Sequence, residues 1–207
     1  GKTIEAGLIL AQKWAEGKRH LLVICPAPLR QQWSNELEEK FGLPSLIMTS
    51  DSYRLRLKNN DSLNPFETVT DPKIVLCSYE YASSRDKNLA TINWDLVVFD
   101  EAHRLRNVYK GMVTATRLKN ALIDVPKILL TATPLQNNLM ELYGLVSIID
   151  DDFFGSEIGY KDYYTKNPTI NSIGLMQKCP THGLYSLIGE YGNDQYHCIK
   201  CVEESMG

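Results

Sequence analysis

Short apolar runs alternate with amphipathic stretches along the first 150 residues of the chain. The runs at 21–25, 46–49, 73–77, 94–99 and 127–130 have the length and near-continuous apolar character of buried strands. Apolar residues recur at helical spacing in 3–16, 29–40, 112–123 and 139–149. Strands that alternate with helices predict an α/β fold with a parallel sheet covered by helices on both faces.

Two stretches depart from this alternation. Residues 51–72 are polar and contain Asn59-Asn60-Asp61 and two prolines, which predicts a helical piece followed by a mobile loop. From Asp150 the α/β alternation stops, and residues 176–207 are typical of a separate small module. We therefore expect one large domain over 1–166 and a small tail domain over 167–207.

Composition excludes few classes of function. The chain has 207 residues, 43% of them apolar and 23% charged, which is ordinary for a globular protein. A net charge of −3 gives no sign of a basic nucleic-acid binder, although a few local contacts can still grip phosphates. The apolar runs are far shorter than a membrane span, and no leader precedes them, so we expect no membrane partner.

The five cysteines fall into two groups. Cys25 and Cys77 lie in apolar strands and are expected to be plain core residues. The other three fall within 23 residues near the end, a spacing that favours metal binding over a disulfide framework. Reduced cysteines suit a cytoplasmic location.

Paired carboxylates follow one of the predicted strands. Asp100 and Glu101 open the sequence Asp-Glu-Ala-His after the run that ends at Phe99. An aspartate in this position can hold magnesium, directly or through water, and the next carboxylate can orient and deprotonate an attacking water. The alternative is a solvated turn after a core strand.

The chain opens on Gly1-Lys2-Thr3, which matches the last three residues of a phosphate-binding loop. The Lys2 ammonium would neutralise the β- and γ-phosphates of ATP, the Thr3 hydroxyl would ligate magnesium, and the helix N-terminus would add its dipole. Alone, these three residues could equally be a surface turn. The whole loop needs five further residues and a strand before them, so we expect this chain to be part of a longer protein.

A third motif, Thr131-Ala132-Thr133, follows the last predicted strand. Small hydroxyl residues at a strand end can hydrogen-bond to neighbouring catalytic groups. Alone this motif has little weight, but the three motifs in this order predict an ATP-driven motor.

The ordered motifs resemble those of the Swi/Snf-type ATP-dependent DNA translocases, within the superfamily-two helicases. The matching segments are GKTIEAGLIL, CPAPLRQQW, LCSYE, DEAH and LLTATPLQN. IEAG, TATPLQNN and DDDFFGS are most similar to the bacterial branch that includes the RNA-polymerase-recycling ATPase. The resemblance covers about residues 1–166 and implies the first of two RecA-like P-loop lobes, with double-stranded DNA and the second lobe as partners.

The resemblance also implies roles for individual residues. Lys2 and Thr3 would bind the phosphates and metal, and Asp100 and Glu101 the magnesium and water. Three residues are expected to couple the state of the bound nucleotide to the strength of DNA binding: His103, Thr131 and Thr133. The stretch Pro26 to Trp33 matches a segment that touches the DNA backbone; we expect Trp33 to be core, with Arg30 or Gln31 nearer the phosphates.

The tail departs from the family. Cys179 and His182 form a C-x-x-H pair, and Cys198 and Cys201 form a C-x-x-C pair after fifteen intervening residues. Paired turns at this spacing suit one tetrahedral structural zinc ion in a zinc-ribbon-like module, with His197 as a rival ligand. The alternatives are a disordered tail or cysteines without metal. A net charge of −2 over 176–207 favours a structural or protein-contact role over phosphate binding.

Three functions compete at this point. The leading one is an ATPase lobe of a double-stranded-DNA translocase that displaces or remodels bound protein. The second is a strand-separating helicase of the same superfamily. The third is a non-catalytic, truncated lobe that serves with its tail as a partner-binding module.

Overall fold

A computed structural model describes residues 1–59, 64–68, 71–133, 139–166, 176–179, 183–188 and 197–198, with the backbone alone from 163 onward. The first part of the chain contains these elements in order: α1 (Lys2–Ala15), β1 (Leu21–Cys25), α2 (Arg30–Phe41), β2 (Ser45–Ile47), α3 (Ser50–Lys58), β3 (Ile74–Ser78), α4 (Tyr79–Ser84), α5 (Asp86–Ala90), β4 (Leu96–Asp100), α6 (Val113–Ala121) and β5 (Lys127–Leu130). The remaining elements are α7 (Leu139–Ile149), α8 (Glu157–Lys166), β6 (Met176–Cys179), β7 (Gly183–Ile188) and β8 (His197–Cys198).

The five predicted strands form one parallel sheet in the order β2-β3-β1-β4-β5. All residues of β1, β3 and β4 are buried, whereas those of β2 and β5, the edge strands of this sheet, are half-buried. The predicted parallel α/β sheet is therefore confirmed, and the strand predictions at 21–25 and 127–130 match the observed bounds.

Alternate residues of the central strands face two helical layers. One layer holds α1 and α2, which bury Leu10, Trp33 and Leu37 against a cluster that includes Val23 and Val98. The other layer holds α4, α5 and α6, which contact one another while α4 contacts β1 and β3. Helices thus cover both faces of the sheet, as the sequence pattern predicts.

Part of the predicted mobile loop is packed against the domain instead. Phe66 is 1% exposed and its ring lies 6.0 Å from that of Tyr53 and 6.2 Å from that of Tyr81. The Arg56 guanidinium donates to the carbonyl oxygens of Pro65 and Glu67 at 2.8 and 2.7 Å. A buried aromatic ring and two bonds to the backbone fix residues 64–68, a feature that the polar composition of this stretch conceals. Residues 60–63 and 69–70 lie outside the described part.

The chain divides into two compact units, residues 1–132 and 133–207. In the second unit α8 occupies residues 157–166, where the sequence pattern predicts no further α/β alternation. The rings of Tyr143, Phe154 and Tyr160 meet with centroids 4.7 to 6.3 Å apart, so aromatic packing stabilises α8 on α7. The domain boundary at 166/167 stays a prediction.

The small antiparallel sheet of the tail has the order β6-β7-β8. Within the described ranges, none of the helices is long and apolar enough to span a membrane. Cys25 and Cys77 are fully buried and free, which confirms the prediction that they are core residues.

Candidate active site

The first turn of α1 carries Lys2 and Thr3. Lys2 is the first residue of this 14-residue helix, and no side chain caps its first turn. The uncapped N–H groups and the helix dipole favour an anion at this end, and the Lys2 ammonium adds a full positive charge.

A cleft of about 210 Å³ lies at the carboxyl ends of β1 and β4. Its lining residues are Lys2, Thr3, Leu29, Gln32, Trp33, Asp100 and Glu101. The structure thus brings together the phosphate-binding and carboxylate residues predicted from sequence, which lie about a hundred positions apart in the chain. Pockets that enclose whole ligands hold about 300–1,000 Å³, so this cleft suits the phosphate end of a nucleotide.

Asp100 is 6% exposed and both of its carboxylate oxygens are engaged. Oδ2 accepts a hydrogen bond from the Trp33 indole nitrogen at 2.8 Å, and Oδ1 accepts one from the backbone N–H of Glu101 at 2.9 Å. Because each carboxylate oxygen can accept a second interaction, these two bonds orient Asp100 and leave room for a metal or water ligand.

Tyr79 fixes the backbone at the same point. Its hydroxyl donates to the Asp100 carbonyl oxygen at 2.7 Å, and its ring stacks on Phe99 with centroids 6.2 Å apart. Burial, followed by the nearby Asp100 charge, raises the pKa of Tyr79 far above its usual range, so the hydroxyl remains a donor. The same two causes raise the pKa of the Cys25 thiol to about 12, so Cys25 is a neutral neighbour of the carboxylate.

Glu101 has a left-handed backbone with φ of 52°, the one positive φ among the described non-glycine residues. This conformation costs roughly 1–2 kcal/mol for an L-residue, a strain that concentrates at functional sites. Its side chain is 32% exposed, so water can reach it. The His103 Nδ1 atom lies 3.1 Å from Glu101 Oε2 without the alignment of a hydrogen bond.

These groups fit a nucleotide with a divalent cation. The chemistry of the donor set matches: one ammonium, one hydroxyl and two carboxylates line the cleft beside a helix N-terminus. Lys2 would bind the phosphates, and Thr3 and Asp100 would bind magnesium.

The other predicted residues take different positions. Thr131 follows Leu130, the register partner of Asp100, and is therefore at the same edge of the sheet. Thr133 is exposed and begins the second compact unit. The coupling roles of His103, Thr131 and Thr133 stay predictions.

The two predicted DNA contacts lie in the first turn of α2 and do not line the cleft. The Nε atom of Arg30 donates to the carbonyl of Ala27 at 3.0 Å, and Gln31 donates to the Asn35 side chain at 2.9 Å. Gln31 is exposed and Arg30 half-buried. Their contact with DNA stays a prediction.

Sequence reasoning missed four residues at this site. Trp33 is core, as expected, but it also bonds to Asp100. Leu29 and Gln32 line the cleft, and Tyr79 holds the end of β4. The sequence did contain one indication of the Trp33 bond. A buried indole N–H needs a hydrogen-bond acceptor, and carboxylates follow one of the predicted strands.

The predicted zinc ligands lie at the edge of, or outside, the described part of the chain. His182 and Cys201 are outside it, and the structure gives only the backbone of Cys179 and Cys198. Cys179 pairs with Gly183 and Cys198 with Leu187, on opposite flanks of β7. Zinc binding by these residues stays a prediction.

A parallel sheet with a helix N-terminus, a lysine and paired carboxylates at its carboxyl edge is typical of nucleotide-binding lobes of the P-loop class. The SNF2-related domain family model matches residues 1–189. The chain belongs to the SNF2-related family, which confirms the resemblance drawn from its motifs.

Two relatives match this chain over part of their own length. It is 33% identical over 169 residues to the uncharacterized ATP-dependent helicase YqhH of Bacillus subtilis, covering 80% of this chain and 27% of YqhH. It is 30% identical over 207 residues to the RNA polymerase-associated protein RapA of Yersinia enterocolitica, covering 94% of this chain and 21% of RapA. The chain therefore spans between about a fifth and just over a quarter of the length of these relatives.

A solved structure supports the fold. The Sulfolobus solfataricus SWI2/SNF2 ATPase core in complex with dsDNA matches with a TM-score of 0.62 at 24% identity, over 84% of this chain and 33% of that one.

Proposed function

We propose that this chain is the first RecA-like lobe of an ATP-dependent double-stranded-DNA translocase, which hydrolyses ATP to move on DNA and displaces or remodels bound protein. The observation that carries the proposal is the convergence of Lys2, Asp100 and Glu101 on one cleft. Phosphate charge, metal and water must be held at once for phosphoryl transfer, and this cleft offers a group for each.

Each residue of the cleft would have a separate role in ATP hydrolysis. Lys2 and the N-terminus of α1 would neutralise charge that builds up on the phosphates. Asp100, oriented by Trp33 and the Glu101 N–H, would hold magnesium together with Thr3. Glu101, strained and accessible, would orient the attacking water and accept its proton. Magnesium would supply charge neutralisation on the phosphate oxygens.

We infer that the protein moves along double-stranded DNA, the DNA track, from its relatives and from the position of α2. One matched structure is described as a complex with double-stranded DNA, and one relative is named for association with RNA polymerase. Arg30 and the exposed Gln31 lie on the turn of α2 that precedes the cleft residues Gln32 and Trp33. Contacts there would follow the phosphate backbone with little sequence preference. A cytoplasmic location and a protein partner through the tail belong to the same proposal.

The decisive experiment measures ATP hydrolysis by the full-length protein with and without duplex DNA. Duplex DNA of any sequence should stimulate turnover, and the stimulation should fall steeply with salt. Arg30→Ala should weaken it, whereas Arg54→Ala, at a 76% exposed arginine of α3, should not. Equal stimulation by RNA, or dependence on one base sequence, would refute a DNA track.

Two further measurements separate the alternatives. Unwinding of a labelled duplex would favour the strand-separating helicase, and its absence beside DNA-stimulated hydrolysis favours the translocase. Residues 1–207 by themselves should hydrolyse ATP negligibly, since this class of motor completes its site with an arginine from a second lobe, worth about 10³–10⁵ in rate. No hydrolysis by the full-length protein would leave the binding module as the function.

The zinc proposal rests on spacing alone. We propose that Cys179, His182, Cys198 and Cys201 bind one structural zinc ion. Metal analysis should give about one zinc per chain, and Cys198→Ser should lose it while the parallel sheet stays folded. Absence of metal from the wild-type protein would refute the proposal.

A further inference from the structure

Trp33 makes a bond that its packing role does not require. Its side chain is 2% exposed in the cluster beneath α1 and α2, where an apolar residue of similar volume would fill the space. Its indole nitrogen instead donates to a carboxylate oxygen of Asp100 at 2.8 Å, across 67 positions of sequence.

The chain's other tryptophans provide a contrast. Trp94 is 5% exposed, and its indole donates to the backbone carbonyl of Leu89 at 3.0 Å. Trp14 is half-buried under the guanidinium of Arg19, 4.4 Å from its ring centroid. Of the three tryptophans, all within the described part of the chain, Trp33 is the one whose indole nitrogen donates to a carboxylate.

The Trp33 bond also joins two parts of the cleft. Leu29 and Gln32 reach the cleft from the start of α2, while Asp100 reaches it from β4. A helix is rigid over one turn, so any movement of the Arg30–Gln31 end of α2 moves the indole relative to the carboxylate. The second oxygen of Asp100 is fixed by the adjacent backbone, which leaves the indole as the adjustable restraint.

We infer that Trp33 is a positioning residue for ATP hydrolysis: its indole N–H orients the Asp100 carboxylate for the metal and ties that orientation to the position of α2. The inference rests on the proposed function, because it assigns Asp100 to the metal. Partners that orient metal ligands typically contribute about 10–100-fold to metal affinity or activity.

The test compares Trp33→Phe with Trp94→Phe in the full-length protein. Each change removes one buried indole N–H and a similar volume, but Trp94→Phe leaves Asp100 untouched. Trp33→Phe should weaken magnesium binding to the protein with a non-hydrolysable ATP analogue, measured by calorimetry, about 10-fold or more. It should raise the magnesium concentration for half-maximal hydrolysis by a similar factor and lower DNA-stimulated kcat about 10–100-fold. Trp94→Phe should leave all three within threefold of wild type.

Trp33→Met, which fills the space with a flexible apolar chain, provides a second donor-free variant if Trp33→Phe does not fold. Rates are compared at a temperature where circular dichroism shows each variant folded. A magnesium dependence in a folded donor-free variant that matches Trp94→Phe would overturn the inference. If DNA fails to stimulate the wild type, the proposed track fails, yet the magnesium dependence of basal hydrolysis still decides the role of Trp33.

Discussion

Gly7 of α1 lies directly against the ring of Phe41 at the end of α2. A Cβ atom placed on Gly7 would come within 2.6 Å of Phe41 Cζ and closer still to Cε2. The absence of a side chain at this position allows the two helices to approach, and α1 carries Lys2 to the cleft from the same layer.

A double-mutant cycle tests this close approach. Gly7→Ala alone should lower the free energy of unfolding by about 1–2 kcal/mol, because overpacking outweighs the helix propensity of alanine. In a Phe41→Ala background the same change should raise it by about 1 kcal/mol, because the space is open and propensity alone remains. Urea unfolding of the four proteins measures the coupling; equal effects in both backgrounds would show that the ring yields without cost.

The second prediction concerns chemistry at Glu101. Glu101→Gln should retain nucleotide binding and lower turnover of the full-length protein about 10²–10⁴-fold, the usual scale for loss of a general base. Glu67→Gln, at a carboxylate remote in sequence and bonded to His20, is the matched control and should leave turnover unchanged. A Glu101→Gln rate within threefold of wild type would exclude this role.

The third prediction concerns strain at the same residue. Glu101→Gly and Glu101→Ala both remove the carboxylate, but only glycine adopts a φ of 52° without steric cost. The glycine variant should therefore unfold with a free energy about 1 kcal/mol higher than the alanine variant. Thermal or urea unfolding distinguishes them; equal stability would show that the backbone relaxes.

The fourth prediction concerns Tyr79. Tyr79→Phe removes the hydroxyl bonded to the buried carbonyl of Asp100 and should lower the free energy of unfolding by about 1–2 kcal/mol. Tyr53→Phe, at a tyrosine 8% exposed whose ring packs on Phe66, is the control and should change stability by less than about 0.5 kcal/mol. Equal effects would mean that the Asp100 carbonyl finds another donor.

The fifth prediction is a pH dependence set by Asp95. Burial acts to raise the pKa of Asp95, but bonds from the His20 and Arg19 backbones and the Lys18 ammonium outweigh it, so the pKa falls below its usual range. A lowered carboxyl pKa contributes stability that is present above the unfolded-state value and lost as pH falls through the folded-state value.

Asp95→Asn should therefore lower the free energy of unfolding by about 1–2 kcal/mol at pH 7, and the difference should shrink as the pH falls below about 4. A difference between Asp95→Asn and wild type that is constant from pH 7 to pH 3 would contradict the assignment.

The strands could be predicted because their pattern is strong. Leu21–Cys25 and Lys127–Leu130 are short apolar runs between turns, and burial on both faces of a parallel sheet requires such runs. α8 and the packing of Phe66 could not be predicted, because their stability comes from aromatic contacts with residues distant in sequence. Ring contacts of this kind leave no periodic signal.

The sequence by itself determined the family, the order of the motifs and four of the seven residues that line the cleft, since Lys2, Thr3, Asp100 and Glu101 are recognisable by type and spacing. Only the tertiary structure decided how those residues are held. The Trp33 bond to Asp100, the Tyr79 bond to the end of β4 and the left-handed backbone of Glu101 depend on where separate strands and helices meet. Local patterns fix which elements form, whereas the partner of a buried polar group is set by packing between elements far apart in the chain.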